Sequence, residues 1–396
     1  MVTHVRNNFC IAPFTQLTFG PAGIYSPCPE IGGRAWKDPS ASPITMWTSN
    51  EYNALRESFS NNEKNPVCNR CWEQEEYKNK SLRKRLLTQG AMFTKGELLD
   101  FVNSGYLSGP KQINLIVGNK CNLRCRVCRA GSSVTFNIEG RVYEKKLKKK
   151  TLYTSASIKP LSYSIEQIND IYRLSNNLQR IEFYGGEPLL DEPTIGLLEQ
   201  LVQSGKSKNI VLFYNTNGTV IPTAKHFELW NQFKGIEFNF SIDDTGPRFT
   251  YNRHPGKWED LLENIAVIKS YPWETDTKFL SICTVSNINV YYLPETLDEL
   301  DRLELPSFLN NVFGPEYYNI EHLPTKIKEK IISKLSSYRN RSKLDFVLNM
   351  LSAPENLTHW EEFKYWTKEK DSYRKENFAE VCPEYYEIIK DYDQHF

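Results

Sequence analysis

From about residue 111 the chain alternates short apolar runs with stretches of helical spacing. The runs are Ile113–Val117, Ile181–Tyr184, Ile210–Tyr214, Ile236–Ile242, Phe279–Val285 and Phe308–Val312, with turn residues between them. Such alternation predicts repeated βα units and a parallel sheet. Six strands of this kind would make a partial barrel. In the fourth run Ile236, Phe238, Phe240 and Ile242 alternate with Glu237, Asn239, Ser241 and Asp243. A strand has a period of two, so one face is apolar and the other polar. With helices packed outside, the polar face would line a lumen suited to a polar ligand. An antiparallel strand with one face in solvent would show the same pattern.

The flanks read differently. Residues 1–95 are irregular, with scattered Pro, Gly, Asn and Ser, a strand-like run at Thr15–Phe19 and a helical stretch at Ser49–Phe59. Their apolar content is thin, which suggests a small unit held together by a metal site. A basic helix, Lys78–Leu87, would link it onward. An insertion from Arg129 to about Gln179 separates the first two strands. It holds Arg141–Lys150, with six basic residues and one acid. Such a run suits a solvated helix face or mobile loop, or else a lid or a patch for an acidic substrate. After about 315 the pattern is helical, at Lys326–Leu335, Leu344–Leu351 and His359–Tyr373. The expected division is therefore 1–95, 96–315 and 316–396.

Charge and composition narrow the classes. The 396 residues carry 49 Lys plus Arg against 48 Asp plus Glu, a formal balance of +1. That argues against a nucleic-acid binder held by bulk charge. No apolar run approaches the roughly 18 residues that cross a bilayer, and the first ten residues lack a signal-peptide pattern. Nine cysteines, an odd number, without an export signal argue against a disulfide framework. A cytoplasmic protein with metal or redox cysteines is expected.

Cys121, Cys125 and Cys128 form C-x3-C-x2-C directly after the first strand of the alternating region. By composition alone such a motif arises about 0.005 times in this chain, so its spacing is specific. Three thiolates on one loop can each bind one iron of a [4Fe–4S] cluster and leave the fourth iron open. Zinc would need a fourth ligand nearby, and no His lies in the loop. Here the chain resembles the radical S-adenosylmethionine (SAM) superfamily, whose defining motif this is. In that family the methionine amino and carboxylate groups chelate the open iron, and reduction releases a 5′-deoxyadenosyl radical. One departure is Val127, where the family commonly has an aromatic residue.

Further motifs fit the resemblance. Gly185-Gly186-Glu187-Pro188 closes the second strand and resembles the family's GGEP, which binds the methionine amino group largely through backbone atoms. The third strand ends Asn215-Thr216-Asn217-Gly218, similar to a Thr-Asn-Gly ending, and the fourth ends Ser241-Ile242-Asp243. Both are similar to strand ends that meet the ribose. Arg253 resembles an arginine placed on the methionine carboxylate, for which a guanidinium's two-pronged geometry is suited. Val285 ends the fifth strand, where the family contacts adenine.

Cys68 and Cys71 form a C-x2-C knuckle with Cys10 and Cys28 upstream. Four cysteines suffice for closed zinc or for a fully ligated [4Fe–4S] cluster, and spacing alone does not decide. Their context resembles the "twitch" auxiliary-cluster module, here ahead of the barrel. The resemblance thus implies an α/β fold: a partial (β/α)6 TIM-like barrel with an N-terminal iron–sulfur twitch domain and a helical C-terminal extension. It implies two [4Fe–4S] clusters, S-adenosylmethionine and an external reductant such as flavodoxin or ferredoxin. The activity expected is hydrogen abstraction from a substrate, in an oxidative modification of a peptide or protein. A sugar or small-metabolite dehydrogenase or epimerase is the alternative. From other classes, a non-catalytic two-cluster electron carrier or a zinc-stabilised binding protein stays open. No catalytic side chain is assigned.

Overall fold

A computed structural model of the chain describes residues 8–76, 81–88, 109–154, 159–312, 314–394 and 396. The expected start of the basic helix at Lys78 and the boundary at 95/96 lie outside them. Nine strands of the described residues form one sheet. They are β1 (Gln16–Gly20), β2 (Ile24–Ser26), β3 (Trp36–Lys37), β4 (Gln112–Ile116), β5 (Arg180–Tyr184), β6 (Val211–Thr216), β7 (Gly235–Ser241), β8 (Asp276–Val285) and β9 (Ser307–Asn311). Their order is β3-β2-β1-β4-β5-β6-β7-β8-β9. From β1 through β4 to β9 every pairing is parallel, and the β1–β2 and β2–β3 pairings are antiparallel. The fold is thus α/β with a mostly parallel sheet. The six expected strands are β4 to β9, each within a few residues of its apolar run.

The N-terminal region does not stand apart from this sheet. β1 continues it beyond β4, with Leu17 opposite Ile113 and Phe19 opposite Leu115. Helix α1 (Asn50–Ser60) ties the hairpin down. The Tyr52 hydroxyl bonds to the carbonyls of Gln16 (2.7 Å) and Ser26 (2.9 Å). Further helices of this region are α2 (Asn69–Glu76) and α3 (Leu82–Thr88).

The period-two pattern does what it predicts. Ile113, Phe183, Leu212, Tyr214, Ile236, Phe238 and Phe240 lie buried in one apolar cluster. They pack on helices that follow the strands, α5 (Ile165–Arg173), α6 (Glu192–Gln203), α7 (Ala224–Trp230), α8 (Gly246–Asn252), α9 (Trp258–Ser270) and α10 (Leu293–Arg302), whereas α4 (Phe136–Leu147) packs in a separate small cluster through Phe136 and Tyr143. Leu197, Trp230 and Leu261 come from α6, α7 and α9. Each such fully buried side chain contributes about 1.5–3 kcal/mol. The other face is polar. Parallel register aligns Asn114, Glu182, Phe213, Glu237 and Lys278 in one row and Tyr184 on the next. Above these, Asn215 pairs with Asn239, and Ser241 with Ile282.

The C-terminal part forms α11 (Thr325–Ser336), α12 (Asp345–Leu351), α13 (Leu357–Arg374) and α14 (Pro383–Tyr392). Its aromatic residues do not form a free surface. Trp360, Phe363, Phe378 and Tyr385 are buried in a second cluster with Val285, Val290 and Leu297. The basic stretch forms the second half of α4 and the residues after it. Arg141, Lys145, Lys146 and Lys148–Lys150 are exposed there, with Lys146 paired to Glu369.

Candidate functional site

The loop after β4 carries Cys121, Cys125 and Cys128 at the C-terminal edge of the parallel strands, the edge where barrel active sites form. Two neighbouring segments hold it by its backbone. The N–H groups of Gly186 and Glu187 donate to the carbonyls of Gly118 (3.0 Å) and Lys120 (2.8 Å). On another side, the N–H groups of Arg124 and Arg126 donate to the carbonyls of His254 (2.6 Å) and Asn252 (2.7 Å). The glycines are needed for this approach. A Cβ on Gly186 would lie 2.3 Å from the Lys120 carbonyl oxygen, and Gly185 has φ +113°.

The three thiols lie close enough to repel one another if ionised. Burial, then the neighbouring Cys125, pushes the Cys121 thiol up. Burial pushes Cys125 up to about 12 against the opposing pull of Arg253, and burial also raises Cys128. Such thiols stay protonated until a cation takes their protons' place. None is in a disulfide.

Polar side chains from the next strand ends surround the loop. Glu187 is buried, and its carboxylate accepts from Thr216 Oγ1 (2.8 Å), Asn217 N (2.8 Å) and Leu189 N (3.2 Å). Burial still lifts its pKa to about 7. Asn217 Nδ2 donates to Asn122 Oδ1 (2.9 Å) and reaches Cys121 Sγ (3.8 Å). Arg253, at the end of α8, pairs with Asp243 (2.8 Å) and reaches Cys125 Sγ (3.9 Å). Its Nε is buried without a hydrogen-bond partner. Asp243 in turn accepts from Thr284 N (2.8 Å). The structure therefore gathers Gly185, Gly186, Glu187, Asn217, Asp243 and Arg253 around the three cysteines.

The other expected contacts have no hydrogen bond to the loop among the described residues. Pro188 is buried at the start of the turn after Glu187. Asn215 and Ser241 lie on the polar face of the sheet, where Asn239 Nδ2 donates to Asn215 Oδ1 (2.7 Å). Val285 and Cys283 share the opposite face of β8 from Thr284 and are buried in the second apolar cluster. Val127 packs against that cluster too.

Cys10, Cys28, Cys68 and Cys71 converge at a second place. They line one cavity with Ala12, Ile31, Phe59, Leu82, Leu86, Glu30, Arg70 and Arg83. Burial pushes Cys68 up to about 12, with Cys28 and Cys71 adding to the rise. Cys10 and Cys28 are raised by burial and by the other thiols of the group. Arg83 braces the cavity: it donates to the Phe9 carbonyl (2.9 Å) and to Glu75 (2.9 Å). Cys10 precedes β1, and Cys28 follows β2, which runs antiparallel to β1. Both therefore lie toward the N-terminal edge of the parallel strands, opposite the three-cysteine loop. β1 and β4 have five residues each, a span of about 16 Å.

Among the described residues, no three Cys, His, Asp or Glu are set to ligate a single metal ion. An iron–sulfur cube asks for a different spacing. Each thiolate takes its own iron, whereas a mononuclear zinc site brings every sulfur to about 2.3 Å from one ion.

Several polar partners of the loop carry no recognisable motif. Asn122 and Thr216 are local to motifs already noticed. Arg126, inside the cysteine motif, finds Asp371 and Glu376 some 250 positions away. No local signal in the sequence marks that pairing.

Comparison with known proteins agrees with the geometry. Residues 115–309 match the family model described as the Radical SAM superfamily. The chain thus carries a radical SAM superfamily domain, of a family that binds S-adenosylmethionine at a [4Fe–4S] cluster. It is 32% identical over 163 residues to the radical SAM cyclopropyl synthase TigE of Paramaledivibacter caminithermalis, covering 40% of this chain and 33% of that one. The chain therefore spans about a third of that relative's length. It is 24% identical over 243 residues to the uncharacterized protein MJ0907 of Methanocaldococcus jannaschii, covering 59% and 73%. Among solved structures, native anSMEcpe with bound AdoMet aligns with 16% identity over 59% of this chain and 62% of that one, at a TM-score of 0.41. Streptococcus suis SuiB bound to precursor peptide SuiA aligns with 10% identity over 80% and 64%, at 0.37. Among the described residues, no helix is long and apolar enough to cross a membrane.

Proposed function

We propose that the chain is a radical SAM enzyme that modifies a peptide or protein oxidatively, with a catalytic cluster on Cys121, Cys125 and Cys128. The observation that carries this reading is the three-thiol loop at the C-terminal edge of the sheet, bonded backbone to backbone with Gly186 and Glu187. The donor set fits a [4Fe–4S] cluster with one open iron. It offers three free, half-buried thiols and a glycine cradle that a Cβ would fill. When bound, the cluster and S-adenosylmethionine supply a 5′-deoxyadenosyl radical that abstracts hydrogen from the substrate.

The protein's residues bind and orient. Gly185, Gly186, Glu187 and Pro188 form the wall for the methionine amino group. The buried Glu187 carboxylate fixes Thr216 and Asn217, so the wall keeps its shape. Arg253, held by Asp243 and with its Nε unpartnered, would meet the methionine carboxylate. Asn215, Asn217, Ser241 and Asp243 offer polar groups for the ribose, and Val285 supports the adenine end from behind. The exposed cations of Arg141–Lys150 suit an acidic stretch of a peptide substrate.

Cys10, Cys28, Cys68 and Cys71 would ligate an auxiliary [4Fe–4S] cluster completely. With all four irons taken, that site acts in electron transfer rather than in binding substrate. A cavity lined by four free thiols, its walls held by the Arg70–Glu30 and Arg83–Glu75 ion pairs, supports this. On this reading residues 1–95 carry the auxiliary site, 96–315 the catalytic unit and 316–396 its C-terminal support. Flavodoxin or ferredoxin would supply the electron.

The test is anaerobic reconstitution, iron counting and incubation with dithionite and S-adenosylmethionine. About eight irons per chain are expected, falling to about four in C121A/C125A/C128A. Wild-type protein should form 5′-deoxyadenosine, and the triple variant should form none. A fully loaded wild type that forms none would favour the electron-carrier reading.

A further inference from the structure

The three-cysteine loop has a fourth neighbour that the proposed chemistry does not use: the end of α13 and the turn after it. Arg126, between Cys125 and Cys128, is fully buried. Its Nη2 bonds to both Asp371 and Glu376, and its Nε donates to the Tyr251 carbonyl (2.9 Å). Its guanidinium lies 3.5 Å from the centre of the Tyr251 ring. The Arg126 carbonyl accepts from Lys370 Nζ (2.7 Å), which also donates to Tyr318 Oη (3.1 Å). With its N–H on Asn252, Arg126 is fixed at backbone donor, backbone acceptor and side chain together.

The same helix end reaches the loop's two flanks. Arg374 pairs with Glu139 of α4 (3.0 Å), both side chains fully buried. Glu376 bonds to His254 Nδ1 (2.6 Å), and His254 Nε2 meets Arg124 (3.1 Å). Lys370, Asp371, Arg374 and Glu376 thus hold Arg126 within the cysteine motif and Glu139 and His254 after it, and His254 passes the contact to Arg124 inside the motif.

Stability alone is a poor reason for such a network. Buried ion pairs are often no better than well-packed apolar residues of the same volume, and their best-attested use is fixing one geometry. We infer that the C-terminal segment is a working part of the cofactor site, with Arg126 and Lys370 as positioning residues. They fix the loop between Cys125 and Cys128 in the shape that holds the cluster and admits S-adenosylmethionine. This rests on the cluster reading above and extends it to residues 370–376. Groups that orient metal ligands from outside typically change affinity by about 10- to 100-fold when removed.

The test compares wild type, K370M and D371N/E376Q, with R126K as the conservative change. Circular dichroism first confirms folding. Iron retention against a chelator and the EPR spectrum of the reduced protein with and without S-adenosylmethionine are then measured. Both variants should keep the four irons of the N-terminal site but hold the loop's iron about 10-fold or more weakly. They should also lose the spectral change on adding S-adenosylmethionine, and R126K, which keeps a cation there, should retain part of it. Should D371N/E376Q not fold, K370M decides alone, because it removes one amine and keeps the side chain's volume. Folded K370M with wild-type retention and spectral response overturns the inference. A wild type whose spectrum ignores S-adenosylmethionine instead overturns the cofactor reading beneath it, and this inference with it.

Discussion

At Gly186 a single hydrogen separates a site from a clash. The Lys120 carbonyl oxygen occupies the place a side chain would need, at 2.3 Å from an ideal Cβ, and that oxygen belongs to a backbone that cannot swing aside. Gly186→Ala should therefore push the cysteine loop off its hydrogen bonds, with loss of loop-bound iron and a lower melting temperature. The same change at Gly196 should act in the opposite direction. It lies within α6 with nothing within 4 Å of its Cβ position, so Gly196→Ala should stabilise by about 0.4–1 kcal/mol. Thermal melts of the two variants check the pair, and Gly186→Ala melting at or above wild type would refute the close-approach account. At this scale the sequence was legible where chemistry repeats a spacing, as in the cysteines and Gly185-Gly186-Glu187. It was silent about Arg126, because a buried arginine and an exposed one look alike until their partners are placed.

Among elements, β4 to β9 were readable because each buries one face, and burial forces period two on the sequence. β1 was readable as a short strand, but not its place beside β4. Pairing Gln16 with Gln112 joins segments far apart in the chain, and no local pattern encodes such a choice. The C-terminal helices were readable from their spacing, but not what covers their aromatic residues, which pack on one another and on β8 and α10. The tie between α4 and α13 is the element-scale feature most open to measurement. Arg374 and Glu139 are both fully buried, and removing Arg374 leaves the buried carboxylate to Arg124 (3.5 Å) and the Tyr143 hydroxyl (2.7 Å) alone, at a cost of up to about 3–5 kcal/mol. Arg374→Met should lose that much in denaturant unfolding, and adding Glu139→Met should recover part of it. A single variant within about 0.5 kcal/mol of wild type, the scale of ordinary surface changes, would show that the pair does not couple the helices.

In the whole molecule one sheet carries thiols at both of its edges, three where the parallel strands end and four toward where they begin. The strands between them span about 16 Å. The proposed division of labour follows from counting ligands: three thiols leave an iron open, and four do not. The most direct measurement is electron–nuclear double resonance on the reduced, reconstituted protein with S-adenosylmethionine labelled with 15N and 17O in its methionine amino and carboxylate groups. Coupling of both labels to a cluster is predicted in wild type and in C68A/C71A, and none in C121A/C125A/C128A. Absence of coupling in fully loaded wild type, or its survival in the triple variant, would contradict the assignment of the open iron to Cys121, Cys125 and Cys128.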